Sequence, residues 1–269
     1  MKPRLARYDL DRLDQRDPAL VGKLVSFVDR VVRPYHRATV RGLEHVPDGA
    51  ALLVGNHNAA TYSPDTFLLG AALHQSRGID AVPYGLAHEV ILGAPGFNQL
   101  LVPLGAVRAG HENARRLFAE GRKVLVYPGG ELDAMRPFRH RNKLVFGGRR
   151  GYIRLALSAG VPIVPVVAAG AHSTFVVVDD LRWLAKWLRA DRVLRTKVWP
   201  LTLSFPLGLT LGPLMPHLPF PSRIRIEVLE PIQFERTGAE AAADDDWVAR
   251  CSDRVESVMQ ASLTRLAAL

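Results

Sequence analysis

Ala51-Leu52-Leu53-Val54-Gly55-Asn56-His57 is an unbroken apolar run that ends on a glycine and delivers an asparagine and a histidine into a loop. An apolar run without polar alternation describes a strand buried on both faces, as in a parallel sheet sandwiched between helices. Lys123–Tyr127 and Val161–Val167 are runs of the same kind, and Ala81–Tyr84 and Gly105–Val107 are shorter extended pieces. Helical spacing fills the intervals. Pro64–His74 starts on a proline, Pro95–Val102 is short, Glu112–Glu120 stops at Gly121, and Tyr152–Ser158 stops at Gly160. Strands alternating with helices predict an α/β fold with a mainly parallel, twisted central sheet flanked by helices. In such sheets ligands bind beyond the carboxyl ends of the strands, where both His57 and the loop after Tyr127 fall.

Working outward, Ala19–Tyr35 carries apolar residues at helical spacing with Lys23, Arg30 and Arg33 between them. This N-terminal amphipathic helix suits either the core or an anionic lipid surface. Asp179–Arg189 is a further helix with Trp183 and Trp187 one turn apart among Arg182, Lys186 and Arg189. The tryptophan pair suits either core packing or a membrane interface. Arg223–Leu229 alternates Ile224, Ile226 and Val228 with charged residues and predicts a half-exposed edge strand; Ala242–Leu269 is a long amphipathic helix. No internal repeat or long linker appears. The expected organisation is therefore one domain, 1–269, with an N-terminal helical segment 1–36, a core 37–235 and a C-terminal helix 242–269.

Composition narrows the class. Of 269 residues, 48% are hydrophobic and 23% charged, and the net charge is +9, mostly from arginine. A basic surface serves anionic lipid, nucleic acid or a phosphorylated ligand. No Cys/His zinc spacing and no aromatic RNA-binding strand is present, so no nucleic-acid partner is expected. Cys251 is the single cysteine, which excludes a disulfide within the chain, and His57 and His172 lack a ligand pattern, so no metal or resident cofactor is expected. Met1 to Asp17 is polar with both charge signs and is not a secretory signal. Val198–Ser222 is apolar and long enough to span a bilayer, but Pro200, Pro206, Pro213, Pro216, Pro219 and Pro221 break it, so a straight transmembrane helix is not expected.

Three constellations carry chemistry. A histidine at the end of a core strand, with Asp65 downstream, reads as a general base with an orienting carboxylate; the same residues could simply cap a turn and the next helix. Arg108, after Val102-Pro103-Leu104-Gly105-Ala106-Val107, could pair bidentately with a phosphate or form a surface ion pair. Tyr127-Pro128-Gly129-Gly130-Glu131-Leu132-Asp133-Ala134 puts paired glycines after a buried strand, either an anion-binding nest or a tight turn. Arg136, Arg139, His140, Arg141, Lys143, Arg149 and Arg150 follow it, either a phosphate-facing cluster or a solvated basic loop.

Taken in order, Asn56-His57…Asp65, Val102-Pro103-Leu104-Gly105…Arg108, Val124-Leu125-Val126-Tyr127-Pro128-Gly129-Gly130-Glu131 and Val161-Pro162-Ile163-Val164-Pro165-Val166 resemble the four blocks of the lysophospholipid / glycerol-phosphate acyltransferase family. Glu230-Pro231-Ile232 is also familiar. Two departures stand out. Seven residues, Asn58 to Pro64, separate His57 from Asp65 where the family usually has four, and Gly129 stands where the family has a glutamate after the proline. Both look more like the branch of diacylglycerol-acyltransferase-related proteins and their bacterial relatives.

The resemblance implies transfer of a fatty acyl group from acyl-CoA, a co-substrate rather than a cofactor, to a hydroxyl of a glycerolipid acceptor such as lysophosphatidate. His57 and Asp65 would be the catalytic pair. Asn56, Arg108, Tyr127, Pro128, Gly129, Gly130, Glu131, Arg136 and Arg139 would bind substrate, with backbone N–H groups near Gly129 and Gly130 meeting the oxyanion. No Gly-x-Ser-x-Gly nucleophile elbow is present. The expected setting is peripheral or monotopic, on the cytoplasmic face of the cell membrane. A lipid hydrolase and a non-catalytic lipid-binding protein are the alternatives.

Overall fold

A computed structural model describes residues 7–60, 62–94, 96–193, 196–212 and 218–269. Its centre is the run that opens the sequence reading. Ten strands are described: β1 (Thr39–Arg41), β2 (Ala51–Gly55), β3 (Tyr84–Ala87), β4 (Ala106–Arg108), β5 (Lys123–Val126), β6 (Ile163–Ala169), β7 (Val176–Asp179), β8 (Leu201–Ser204), β9 (Gly208–Leu211) and β10 (Arg225–Val228). Seven form one sheet in the order β1-β10-β6-β2-β5-β3-β4. The five from β6 to β4 run parallel; β10 is antiparallel to β6, and β1 is parallel to β10. This is the expected mainly parallel α/β sheet. Every residue of β2 is buried, because it has strands on both sides and helices on both faces.

Alternation along the strands sorts the core into two layers. Leu52, Val54 and Val124 face the helices His111–Ala119, Gly151–Ala159 and Asp245–Ala267, through side chains such as Leu117, Ile153 and Met259. Leu53, Leu125 and Val164 face the other way, toward the helix Pro64–Arg77 and the N-terminal helix, through Leu68, Val25 and Val28. That N-terminal helix starts where Asp17 accepts hydrogen bonds from the Ala19 and Leu20 amides, passes through a π-turn at Val28–Val32 and ends at Tyr35. The C-terminal helix Asp245–Ala267 is capped by Asp244, whose carboxylate accepts the Trp247 amide at 2.9 Å.

Two expectations need correction, and one open alternative is decided. The strand expected at an edge lies inside the sheet, since β10 pairs with both β1 and β6, and β1 is the edge. Its alternation has another cause: Ile224, Ile226 and Val228 fill the core on one face, while Glu227 on the other accepts a hydrogen bond from Ser262 at 2.5 Å and pairs with Arg265 of the C-terminal helix. Period-2 patterning reports two unlike faces, not the number of neighbouring strands. The tryptophans Trp183 and Trp187, on the helix Arg182–Trp187, are 69% and 76% exposed, so they do not pack on the core. The strand expected at Ala81–Tyr84 begins only at Tyr84, because Ile79–Ala81 forms a 3-10 turn. Pro95, the expected start of a short helix, lies outside the described residues; the helix is Phe97–Leu101.

The apolar stretch Val198–Ser222 holds β8 and β9, which join β7 in a small antiparallel sheet; residues 213–217 of it lie outside the described residues. Among the described residues no helix is long and apolar enough to cross a membrane. The small sheet rises from the carboxyl end of β6 and packs Phe175 and Val177 against Ala59, Ala60, Ala134 and Met135. It therefore sits on the two loops that follow β2 and β5.

Candidate active site

The carboxyl end of β2 is pinned before it delivers His57. Asn56 donates to the Ala168 carbonyl at 3.0 Å and accepts the Ala168 amide at 2.8 Å, extending the β2–β6 ladder by one side-chain rung. With its amide engaged and its side chain buried, Asn56 is a structural clamp rather than the substrate ligand expected. Gly55 is required by what lies over it. A Cβ there would stand 2.5 Å from the Tyr127 ring. That ring stacks on the His57 imidazole with centroids 4.7 Å apart, and its hydroxyl meets Thr66 Oγ1 at 2.5 Å. Tyr127 thus forms a wall of the site.

Both backbone groups of His57 are held by one buried ion pair. Asp133 Oδ2 accepts the His57 amide at 2.6 Å, and the Arg136 guanidinium donates to the His57 carbonyl at 2.7 Å. Asp133 also takes Arg136 at 3.0 Å and the Val145 amide at 3.1 Å. Arg136 further donates to Asn58 Oδ1 at 2.8 Å, and Asn58 donates to Asp65 Oδ2 at 2.8 Å. A continuous polar chain, Asp133–Arg136–Asn58–Asp65, therefore runs beneath the histidine. Arg136 is 1% exposed, so it cannot hold a phosphate as expected; its charge serves the interior. Asp133 and Asn58 are the site residues that sequence reasoning missed, and Arg136, expected to bind substrate, instead pairs with Asp133 beneath His57.

The expected His57–Asp65 hydrogen bond is not formed here. Nδ1 of His57 meets Ser63 Oγ at 3.3 Å instead, and among the described residues Asp65 Oδ1 is buried without a hydrogen-bond partner. The longer gap is the reason. Ala59, Ala60 and Ser63 all have positive φ, and it is Ser63, not Asp65, that meets the imidazole. The Ser63 hydroxyl lies within reach of the Asn58 and Ala60 carbonyls, at 3.2 and 3.1 Å. When its one proton goes to a carbonyl, the Ser63 oxygen receives Nδ1–H, the tautomer that leaves the Nε2 lone pair of His57 available.

Electrostatics agree with a neutral base. Burial, reinforced by the Arg136 charge, lowers the His57 imidazole to about 4. Burial pushes Asp65 up to about 6 against the opposing pull of Asn58 and Arg136, and pushes Asp133 up to about 6 in the same way. The Tyr127 phenol is raised by burial and by the Asp65 charge.

The glycine loop is less open than an anion nest. A Cβ on Gly129 would stand 2.4 Å from Asp133 Cβ and from the Val145 carbonyl. The Gly130 amide donates to the Tyr127 carbonyl at 3.1 Å and closes the turn, whereas among the described residues the Gly129 amide has no hydrogen-bond partner. Pro128 is buried behind it. Arg149 grips the loop, donating to the Gly129 carbonyl at 2.8 Å and to both oxygens of Glu131 at 2.8 and 3.0 Å. Glu131 is therefore an anchor for Arg149. Arg149, Tyr127 and Pro128, with His111, line an open cleft of about 200 Å³ beside the loop.

The other expected arginines stand apart. Arg108 is taken by the Asp11 carboxylate of the N-terminal segment, which it meets with two nitrogens, and Glu89 lies 3.8 Å away. Arg139 is exposed, 3.6 Å from Asp179. The structure thus brings His57, Asp65, Tyr127, Gly129 and Arg136 together and leaves Arg108 and Arg139 outside that group.

Comparison with known proteins matches residues 37–169 to the family model described as Acyltransferase. An uncharacterized protein of Mycobacterium tuberculosis is 31% identical over 252 residues, covering 90% of this chain and 67% of that protein. The "DGAT1/2-independent enzyme synthesizing storage lipids" of Mus musculus is 28% identical over 187 residues, 69% of this chain and 54% of the mouse protein. The chain thus spans two thirds of the mycobacterial protein and about half of the mouse one. Among solved structures, the 1-acyl-sn-glycerophosphate (LPA) acyltransferase PlsC of Thermotoga maritima shares the fold, with a TM-score of 0.55 at 18% identity over 93% of this chain and 80% of that one.

Proposed function

The chain belongs to the acyltransferase family, and from that premise we propose that it moves a fatty acyl group from acyl-CoA to a hydroxyl of a glycerolipid acceptor at a membrane surface. The observation that carries this reading is the His57 imidazole at the carboxyl end of the central strand: burial keeps it neutral, Ser63 meets it at Nδ1, and among the described residues no hydrogen-bond partner meets Nε2. In the proposed reaction the acceptor oxygen attacks the thioester carbonyl while Nε2 takes the hydroxyl proton. The Gly129 amide receives the oxyanion. Collapse of the tetrahedral intermediate forms the ester, breaks the carbon–sulfur bond and returns the proton from His57 to the leaving thiolate. Asp65 acts through Asn58 and the loop as a positioning residue, and no resident cofactor takes part.

The membrane and its cytoplasmic face remain part of the proposal, favoured by a net charge of +9 and by the exposed tryptophan pair. Lysophosphatidate and diacylglycerol are the two acceptor classes to separate. With Arg136 buried and Arg108 paired to Asp11, the site around His57 offers few cations to an acceptor phosphate, which favours an uncharged acceptor.

The test is thiol release from long-chain acyl-CoA with lysophosphatidate, glycerol 3-phosphate, diacylglycerol or a fatty alcohol. Acceptor-dependent release should fall by about 10²–10⁴-fold in His57→Ala, with the fold retained. Ser63→Ala should cost more than Asp65→Asn, because Ser63 touches the ring and Asp65 does not. Equal turnover in wild type and His57→Ala would sink the mechanism, and release without acceptor would make the protein a hydrolase.

A further inference from the structure

The small sheet is built inside out. Registers place Leu201 opposite Leu211, Thr202 opposite Thr210 and Leu203 opposite Leu209, so β8 and β9 present one hydroxyl face and one leucine face. The hydroxyl face is the buried one. Thr202 meets Thr210 at 2.7 Å and Ser204 at 3.4 Å, and Ser204 meets Thr210 at 3.2 Å. The leucine face is the open one: Leu203, Leu209 and Leu211, with Phe205 and Leu207 at the turn, are 45% to 63% exposed. An antiparallel sheet with one face in water has the reverse arrangement, and a contiguous apolar patch of this kind marks a binding surface.

The patch leads into basic ground. Leu218 pairs with Phe205, the Pro219 carbonyl accepts the Tyr35 hydroxyl at 2.7 Å, and the Ser222 hydroxyl donates to Gly170 at 2.8 Å. Residues 218–224 therefore tie the hairpin to the edge of the main sheet. There Arg37, Arg41, Arg223, Arg225 and Arg265, with Glu227 as the one acidic side chain, line a cleft of about 250 Å³. Arg265 is paired with Glu227; among the described residues no carboxylate pairs with the other four. The N-terminal helix reaches the same place, with Phe27, Val31 and Tyr35 exposed along its outer stripe. An apolar projection beside five arginines and a single glutamate is complementary to a leaflet with a hydrocarbon interior and anionic phosphates.

We propose that the β8–β9 hairpin is a bilayer-docking wedge: its leucine face and the Phe205–Leu207 turn enter the acyl region of an anionic leaflet, and the arginine cleft engages lipid phosphates. The inference rests on the acyl-transfer reading only for its purpose. Phe175 and Val177, in and beside β7, pack on Ala59 and Ala60, two and three residues beyond His57, so a docked hairpin holds the His57 loop over its lipid substrates.

The test is vesicle flotation, which reads binding without turnover. Wild type should float with phosphatidylcholine vesicles and more strongly with vesicles containing phosphatidylglycerol. Leu203→Ser combined with Leu209→Ser should lose about tenfold or more in affinity for both kinds. Arg37→Ala with Arg223→Ala should lose only the phosphatidylglycerol increment and its salt sensitivity. Circular dichroism melts should match wild type, because all four side chains are at the surface. In a separate Leu207→Trp variant, the emission gained over wild type should be quenched by lipids brominated along their acyl chains. Flotation of the leucine variant at the wild-type level, or no quenching at position 207, overturns the wedge. So does a leucine variant that turns a dimer into a monomer while still floating, since the leucine face would then be the contact with a second copy. Thiol release from a short-chain acyl-CoA to a water-soluble alcohol separates the two readings. The leucine variant should match wild type there, and failure of wild type in that assay would strike the acyl-transfer reading while leaving the docking result standing.

Discussion

The loops above the central sheet and the small sheet that rests on them bury polar atoms in opposite ways. Beneath His57 the buried groups are charged side chains joined by one amide, and each depends on a particular partner: Asp133 on Arg136, Arg136 on Asn58 and on backbone carbonyls, Asn58 on Asp65. In the hairpin the buried groups are three neutral hydroxyls that can exchange partners among themselves. A buried charge without its partner is costly, whereas a hydroxyl can rotate to another acceptor. The first arrangement fixes one geometry around one imidazole. The second only needs to keep water out while leucines occupy the outer face. The lesson is that precision in this molecule is concentrated where a proton is to be moved.

The largest effect expected from this difference follows removal of Asp133. Asp133→Ala leaves Arg136 buried and uncompensated and also releases the His57 amide. Breaking a buried pair from one side costs about 3–5 kcal/mol, so the unfolding midpoint in urea should fall sharply and acyl transfer should be lost with it. Asp133→Ala combined with Arg136→Met should be less destabilised than Asp133→Ala alone, since the stranded charge is then gone. A double variant worse than the single one would show that the hydrogen bonds, not the charge, govern the site.

Much of this was legible in the sequence and some was not, for physical reasons. The strands Ala51–Gly55 and Ile163–Ala169 announce themselves because a parallel strand covered on both faces must be apolar throughout. His57 could be singled out because a strand end in such a sheet is where ligands bind. The depth of Arg136 could not, because its spacing from Asp133 is also that of an ordinary surface pair on a helix. Asn56 reads as a ligand in sequence and proves a clamp, since an amide side chain can take the place of a backbone rung. The hairpin Leu201–Leu211 was not read from the sequence, where Val198–Ser222 stands as a proline-broken apolar stretch, and its alternation alone would leave the buried face undecided. Period 2 says that two faces differ, not which of them meets the core.

Next in size are the effects of pH. The folded state holds His57 down at about 4, below its ordinary 6.5, so as pH falls from about 6.5 toward 4 the unfolded chain takes up a proton that the native site refuses. This contribution is fully present above 6.5 and is lost on the way down. Asp65 and Asp133 act with the opposite sign. Both are pushed up to about 6, so their penalty for being ionised in the fold is present above about 6 and is relieved as pH falls toward 4. Thermal melts between pH 7 and pH 4 should therefore show His57→Gln losing less stability on acidification than wild type, and Asp65→Asn losing more. Identical slopes in all three would mean that the polar chain beneath His57 is solvated. In turnover, kcat/KM should show no loss assignable to His57 between pH 8 and pH 5, because the imidazole remains an unprotonated base throughout that range.

The smallest effect, and the sharpest check of the contrast, is expected in the hairpin. Thr202→Val removes one hydroxyl from the ladder while keeping the branched shape that suits a strand. Thr210 retains Ser204 at 3.2 Å, so the deletion strands no hydroxyl, unlike the loss of Asp133. The expected cost is that of one ordinary hydrogen bond, about 0.5–1.5 kcal/mol, with acyl transfer and vesicle binding both unchanged. Urea unfolding of Thr202→Val beside Asp133→Ala measures the two regions on one scale. A Thr202→Val penalty as large as that of Asp133→Ala would mean that the hairpin interior is as exacting as the site it covers, and that its hydroxyls fix a geometry of their own.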